Sequence, residues 1–290
     1  MTIRLAGLTL PGRSALSDGL AKSIGALLSL SLTGLLFALL MTLIWQGANQ
    51  LSPDFLLSAP QAGGRMGGIN SILVSTAMIL LVCLAALVPL GLASAILVTQ
   101  WLASGSFPER ITSYSMDVLS AVPSIVFALF GYQFFAITLG LGFSILAGGL
   151  TLACMSLPLM IRGTEQALRG VPNELHQASN ALGLSTSGML WKVLLPSARH
   201  GIAAAIILSI GRALAETAVL LFTAGYVLRM PSSVMDSGRT LSVHIYDLAM
   251  HVPGGEQRAA ATAIVLVSLI ILINLAVHRL LRTSEVSHAR

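Results

Sequence analysis

The chain has 290 residues, of which 55% are hydrophobic and only 9% are charged, with a mean hydropathy of +0.87. An ordinary soluble domain carries roughly 25% charged residues, so a soluble fold is excluded and an all-α polytopic membrane protein is expected. The net charge of +5 reflects few acids rather than many bases, Lys22 and Lys192 being the only lysines, and no basic stripe marks a nucleic-acid surface.

Charge-free stretches place six spans in chain order. Ile24–Trp45 is longer than the roughly 7–15-residue apolar region of a signal peptide and reads as a retained first helix. Ile72–Val98 is one long helix, kinked or tilted at Pro89. The uncharged stretch Val118–Ile161 is more than twice the roughly 20 residues of one span. Gly140-Leu141-Gly142 is its natural break, giving Leu119–Thr138 and Phe143–Ile161. Gly201–Tyr226 and Ala259–His278 complete the set, and Trp45, Trp101 and Trp191 fall at span ends, where indoles meet headgroups. The cysteines, Cys83 and Cys154, lie in apolar runs and read as small buried hydrophobes.

With the N-terminus placed in the cytoplasm, only Arg65, Arg229, Arg239 and Arg258 fall outside, and only Arg212 falls within the membrane. The other Lys and Arg lie inside, as the positive-inside rule requires. The expected organisation is a cytoplasmic segment 1–22, a six-helix transmembrane domain 23–282 with a cytoplasmic loop at about 162–200, and a cytoplasmic tail 283–290.

Three features carry functional readings. In the loop Val171–Gly183, Pro172 suits a helix start and Gly183 a C-terminal cap. Leu175, Ala178 and Leu182 then share one face. This short amphipathic helix either packs on the bundle or docks another protein. In the fifth span Arg212 and Glu216 stand four apart, on one helix face and able to pair. Intramembrane charges cost on the order of 3 kcal/mol each, so they mark either a structural pair or a substrate path. Arginine's planar fork suits a tetrahedral oxyanion. At the start of span three, Val122-Pro123-Ser124 follows Asp117, and Ser124 offers a hydroxyl that either caps a helix or lines a pore. Neither lysine sits in the Gly-Lys-Ser/Thr setting of a P-loop, no two histidines with an adjacent Glu suit zinc, and enzyme readings are poor.

Taken together, these strings resemble a known family. Gln177-Ala178-Ser179-Asn180-Ala181-Leu182-Gly183, followed by Leu194-Leu195-Pro196, is similar to the EAA loop of type I ABC importer permeases. Ala121–Phe130 and the segment Arg212-Ala213-Leu214-Ala215-Glu216-Thr217-Ala218 through Ala224 resemble segments of the A-type permeases of phosphate-specific importers. Val252-Pro253-Gly254-Gly255 before the last span also fits. Two positions depart from the pattern: Gln177 stands at the Glu of the EAA string, with Glu174 three residues earlier, and Val219 stands where a proline is usual.

The resemblance implies a MetI-like permease in a bacterial cytoplasmic membrane, moving inorganic phosphate. It implies a substrate path with Arg212, Glu216, Ser124 and Thr217, and an ATPase-coupling helix with Glu174, Leu175, Gln177, Ala178, Leu182 and Gly183. It also implies a homologous second permease, an ABC ATPase dimer that uses ATP and Mg, and an extracytoplasmic phosphate-binding protein. This chain itself is then expected to bind no cofactor. Alternatives are a permease for a related oxyanion such as phosphonate or phosphite, and a proton- or sodium-coupled secondary transporter. The latter predicts an inverted repeat, and the two halves show none that is convincing. A membrane assembly protein is the third alternative and predicts no intramembrane charge pair.

Overall fold

A computed structural model describes the backbone of residues 15–103 and 105–288 and the side chains of 22–103 and 105–279. The expected terminal segments 1–22 and 283–290 lie largely outside the described residues. Among the described residues, five helices are long and apolar enough to cross a membrane, and a sixth candidate is a pair of helices that passes the same test taken together but is sharply bent.

The first is α1 (Ala15–Gly47). Behind it, α2 (Pro53–Leu57) starts with Pro53 in its first turn, and the Ser52 hydroxyl accepts from the Phe55 amide. A hairpin of β1 (Pro60–Gln61) and β2 (Met66–Gly67) turns through Gly63 and Gly64, both with positive φ. Next, α3 (Asn70–Ile96) contains Pro89 and is prolonged by a π-turn to Trp101. The second span is therefore one helix, as the sequence implies.

The third span departs from expectation. Instead of a single helix over Leu119–Thr138, α4 (Phe107–Ala121) and α5 (Ser124–Gly131, continued by π-turns to Thr138) meet at 98°. The cause is local: Pro123 clashes with a helical residue before it, and Val122 is extended at φ −66, ψ 128. Gly140 (φ 68) and Gly142 (φ 62) then end the segment, where the sequence places the break.

From its Ser144 cap, α6 (Ile145–Arg169) runs about two turns past the expected end at Ile161. The short helix expected between Pro172 and Gly183, α7, spans Asn173–Ala181. After it, α8 (Thr186–Met189) passes through a π-turn into α9 (Leu195–Ala215), and Thr186–Ala215 forms one span-length helix. The connection expected over Arg162–His200 is thus mostly helix, and only 170–185 joins the spans. The expected fifth span Gly201–Tyr226 is also corrected: the helix stops at Ala215 and restarts as α10 (Ala218–Thr223). Two more helices follow, α11 (Leu241–Met250) and α12 (Glu256–His288).

At the centre, α6 packs on α3 and α9, while α1 rests on α12 and is otherwise exposed. With no water to expel between helices in lipid, close backbone approach supplies the packing. A Cβ on Gly149 would meet Val82 Cγ1 at 2.5 Å, and one on Gly163 would meet Ala205 Cβ at 2.6 Å. Gly163→Ala is therefore expected to overpack the α6–α9 contact by about 1–3 kcal/mol, and Ala205→Gly to restore part of it. Thermal unfolding of the purified variants in detergent reads both changes. An unchanged midpoint for Gly163→Ala would contradict the packing.

Candidate translocation site and docking helix

The break in the fifth span gathers three of the residues singled out in the sequence. Arg212 lies in the last turn of α9, where a cation complements the helix dipole. Glu216 is extended (φ −77, ψ 131), and its carboxylate Oε1 accepts from the Val219 amide at 3.4 Å, at the start of α10. Thr217 follows, and its carbonyl accepts from the Leu221 amide. The expected pairing of Arg212 with Glu216 along one helix face does not occur. Once the helix unwinds after Ala215, the four-residue spacing no longer stacks the two side chains. Arg212 is exposed and forms no ion pair or hydrogen bond among the described residues.

The break is held from the side by α11. Ser242 Oγ donates to the Glu216 carbonyl at 2.6 Å, and the Leu241 amide donates to Thr76 Oγ1 at 3.0 Å. Thr240 Oγ1 and Ser242 Oγ lie 3.0 Å apart. The N-terminus of α11 thus reaches the level of Thr76, about 9 Å along α3 from Asn70 at the usual helical rise. These hydroxyls were missed in the sequence, where 227–258 reads as an exterior loop. The available signal is Thr240, a good N-cap directly before the apolar run of α11.

A buried polar cluster anchors α11. Arg239 Nη1 donates to Asp247 Oδ2 at 2.6 Å, and Nη2 donates to the Tyr226 carbonyl at 2.9 Å. Its guanidinium also covers the Tyr226 ring at 3.9 Å. Burial lowers Arg239 to about 10, so it stays charged at neutral pH. His244 is 1% exposed, and burial, with the charges of Arg239 and Arg258, pushes its imidazole down to about 3. Gly64 of the hairpin lies against that ring, where a Cβ would meet Cε1 at 2.4 Å.

Ser124 is the first residue of α5, directly after Pro123. The structure packs α5 against α10, with Phe127, Ala128, Val219 and Leu220 in one core cluster. No hydrogen bond among the described residues joins Ser124 to Arg212 or Glu216. Among the described residues no group of His, Cys, Asp or Glu is placed to hold a metal ion.

The candidate docking helix α7 takes the form its termini imply. Pro172 precedes α7, and Gly183 has φ +67. Its apolar face is turned away from the bundle: Leu175, Ala178 and Leu182 are all exposed, Leu182 at 79%. Glu174, Gln177 and Gly183 are exposed as well, and Ser179 is the buried residue of the helix. The buried Ser179 seats one face of α7 against the rest of the chain, while its apolar face is left uncovered among the described residues. Val171, just before α7, is buried with Ile96, Leu168, Leu190 and Leu194, so the entry to the helix is fixed while the helix itself projects.

Comparison with known proteins gives a consistent set of matches. Residues 87–285 match the family described as binding-protein-dependent transport system inner membrane component. The "Probable ABC transporter permease protein YqgI" of Bacillus subtilis (strain 168) is 32% identical over 276 residues, covering 90% of this chain and 94% of the relative. The "Phosphate transport system permease protein PstA" of Mycobacterium leprae (strain TN) is 35% identical over 228 residues, covering 77% of this chain and 74% of the relative. Among solved structures, an inward-facing conformation of the MetNI methionine ABC transporter aligns with a TM-score of 0.56 at 21% identity. It covers 74% of this chain and 94% of that one, a likeness of fold.

The buried histidine makes stability depend on pH. The unfolded chain takes up a proton near the ordinary value of 6.5, whereas the folded site takes one up only near 3. Between those values the unfolded state binds more protons, so stability falls as pH falls. The expected loss at pH 5 is on the order of 2 kcal/mol. Unfolding midpoints at pH 7.5 and 5 should therefore differ less in His244→Gln than in the native chain, and an equal difference in both would refute the assignment.

Proposed function

Because this chain belongs to the inner-membrane components of binding-protein-dependent transport systems, we propose that it is the permease subunit that carries inorganic phosphate in an ATP-driven importer. The observation that carries the substrate reading is the helix break at Glu216, which leaves the exposed guanidinium of Arg212 without an ion-pair partner among the described residues. A planar, permanently charged fork binds two oxygens of a tetrahedral oxyanion in parallel. Relatives named as phosphate transport permeases, from Mycobacterium leprae and Xylella fastidiosa, support the same substrate.

Arg212 engages the anion, Thr217 and Ser124 offer hydroxyls along the path, and Glu216 fixes the restart of the helix through Val219. The importer is completed by a homologous second permease, an ABC ATPase dimer that holds ATP and Mg, and an extracytoplasmic phosphate-binding protein. The projecting apolar face of α7 docks on the ATPase, and closure of the ATPase dimer moves α7 so that the path opens alternately to each side. The Lys and Arg distribution supports cytoplasmic termini and a cytoplasmic α7.

Two experiments test this reading. Arg212→Lys keeps the charge and loses the fork. Phosphate uptake is expected to fall at least about tenfold, the size of one lost charge-assisted hydrogen bond, in a complex that still assembles. An assembled Arg212→Leu variant that imports phosphate would sink the role. Orientation and docking are read together by Asn180→Cys, an exposed site on α7, in a background lacking Cys83 and Cys154. An impermeant thiol reagent should label it in inside-out vesicles, less so once the ATPase is bound, and not in intact cells. Labelling in intact cells reverses the layout, and labelling indifferent to the ATPase removes the docking role.

A further inference from the structure

Between α4 and the last turns of α6 runs a ladder of five alternating charges. Arg162 Nη2 donates to Asp117 Oδ1 at 2.7 Å, and Nη1 donates to Glu165 Oε2 at 3.1 Å. Arg169 Nε donates to Glu165 Oε1 at 3.0 Å, and Nη2 donates to Glu109 Oε1 at 3.0 Å. Asp117 pairs with Arg162 and Glu109 with Arg169, so the two helices lie in antiparallel register. The ladder is also tied to backbone at both ends. Glu109 Oε2 accepts from the Gly105 amide at 2.7 Å, and the Ser113 carbonyl accepts from Arg162 at 3.0 Å. Its centre, Glu165, is 7% exposed. A lone surface ion pair holds two helices weakly, but a network around a buried carboxylate resists being pulled apart.

The position of the ladder matters more than its strength. Arg169 is the last residue of α6, and only Gly170-Val171-Pro172 separates it from α7. At its other end, α4 runs from the ladder to the Pro123 elbow, and beyond the elbow α5 packs on α10, the restart of the broken fifth span. The elbow has room to change its angle. A cleft of about 590 Å³ lies against it, lined by Met116, Leu119, Val122 and Val126 on the two arms and by Cys154 and Leu157 on α6. A rigid rod, a hinge and space beside the hinge are the parts of a lever.

We propose that the ladder Asp117–Arg162–Glu165–Arg169–Glu109 carries the displacement of α7 into the Pro123 elbow, so that it sets how tightly ATP hydrolysis is coupled to movement of α5 and α10. The inference rests on the reading of the chain as an importer permease. The five residues are positioning residues: they act through α5 and α10 and touch no substrate.

The test uses the complete importer in vesicles. Glu109→Gln with Asp117→Asn removes both ion pairs between α4 and α6, leaving only the Arg162–Ser113 hydrogen bonds between them among the described residues, and keeps Arg162, Glu165 and Arg169 paired along α6. Thr138→Cys, at the far end of α5, reports movement by its maleimide labelling rate with and without ATP and vanadate, in a background lacking Cys83 and Cys154. In the native importer the rate should change several-fold on nucleotide trapping. In the double variant, ATP hydrolysis should continue within about twofold of native. The labelling response should vanish, and phosphate moved per ATP should drop at least tenfold. A double variant with the native labelling response and native phosphate-to-ATP ratio would overturn the proposal and leave the ladder a staple. If the double variant fails to assemble, Arg169→Lys, which keeps the charge but offers a single nitrogen where Nε and Nη2 now serve Glu165 and Glu109, is read by the same two measurements and the same criteria. The labelling readout needs no substrate. A native complex that responds to ATP but imports no phosphate therefore counts against the phosphate reading, while loss of that response in the variant still supports the ladder.

Discussion

In a hydrocarbon slab an interrupted helix exposes amides and carbonyls that no water can satisfy, and this bundle interrupts two of its spans. Each interruption is met by a different device. At the third span the break falls on Pro123, which has no amide proton to satisfy, and its carbonyl accepts from the Val126 amide at 3.0 Å. At the fifth span a side chain from another element is needed: Ser242 donates to the freed Glu216 carbonyl, and the Glu216 carboxylate serves the Val219 amide. The Arg212 guanidinium can stand at the break because those backbone groups are already satisfied.

That second device requires α11 to be held in place, which accounts for a buried ion pair in so apolar a protein. Burying Arg239 and Asp247 costs several kcal/mol in desolvation per ion. The cost is offset by a short hydrogen bond, the Tyr226 carbonyl and the Tyr226 ring. In exchange the N-terminus of α11 is fixed beside Thr76 and Glu216. The same logic operates at the other end of the bundle, where Glu165 is buried only because two arginines share it.

Elements whose limits are written in neighbouring residues were legible in the sequence. Pro172 and Gly183 bracket α7, and Gly140 and Gly142 end the third span, because proline and positive-φ glycine act locally. The break after Ala215 was not legible, since residues 214–219 contain neither Pro nor Gly and the stop signal is a hydroxyl 26 residues away. Nor do the uncharged runs of the sequence mark α4, because Glu109, Arg110 and Asp117 punctuate it. Two of those charges are neutralised by α6, a fact that only the fold supplies. For the same reason 227–258 read as an exterior loop: Arg239, His244 and Asp247 look solvent-loving until they are found buried together.

The hairpin that lies over His244 bears on how the protein is made. Its Gly67 carbonyl accepts from Arg258, Ser71 donates to the Leu228 carbonyl, and Thr76 receives the Leu241 amide. Each of these partners emerges from the ribosome more than 150 residues later, on the order of ten seconds or more at ordinary elongation rates. During that interval residues 55–76 have been made with their own partners still unsynthesised. This end of the bundle is therefore among the last parts to settle, and a nascent chain stalled before Leu228 would expose an unclosed hairpin to whatever inspects newly inserted membrane proteins.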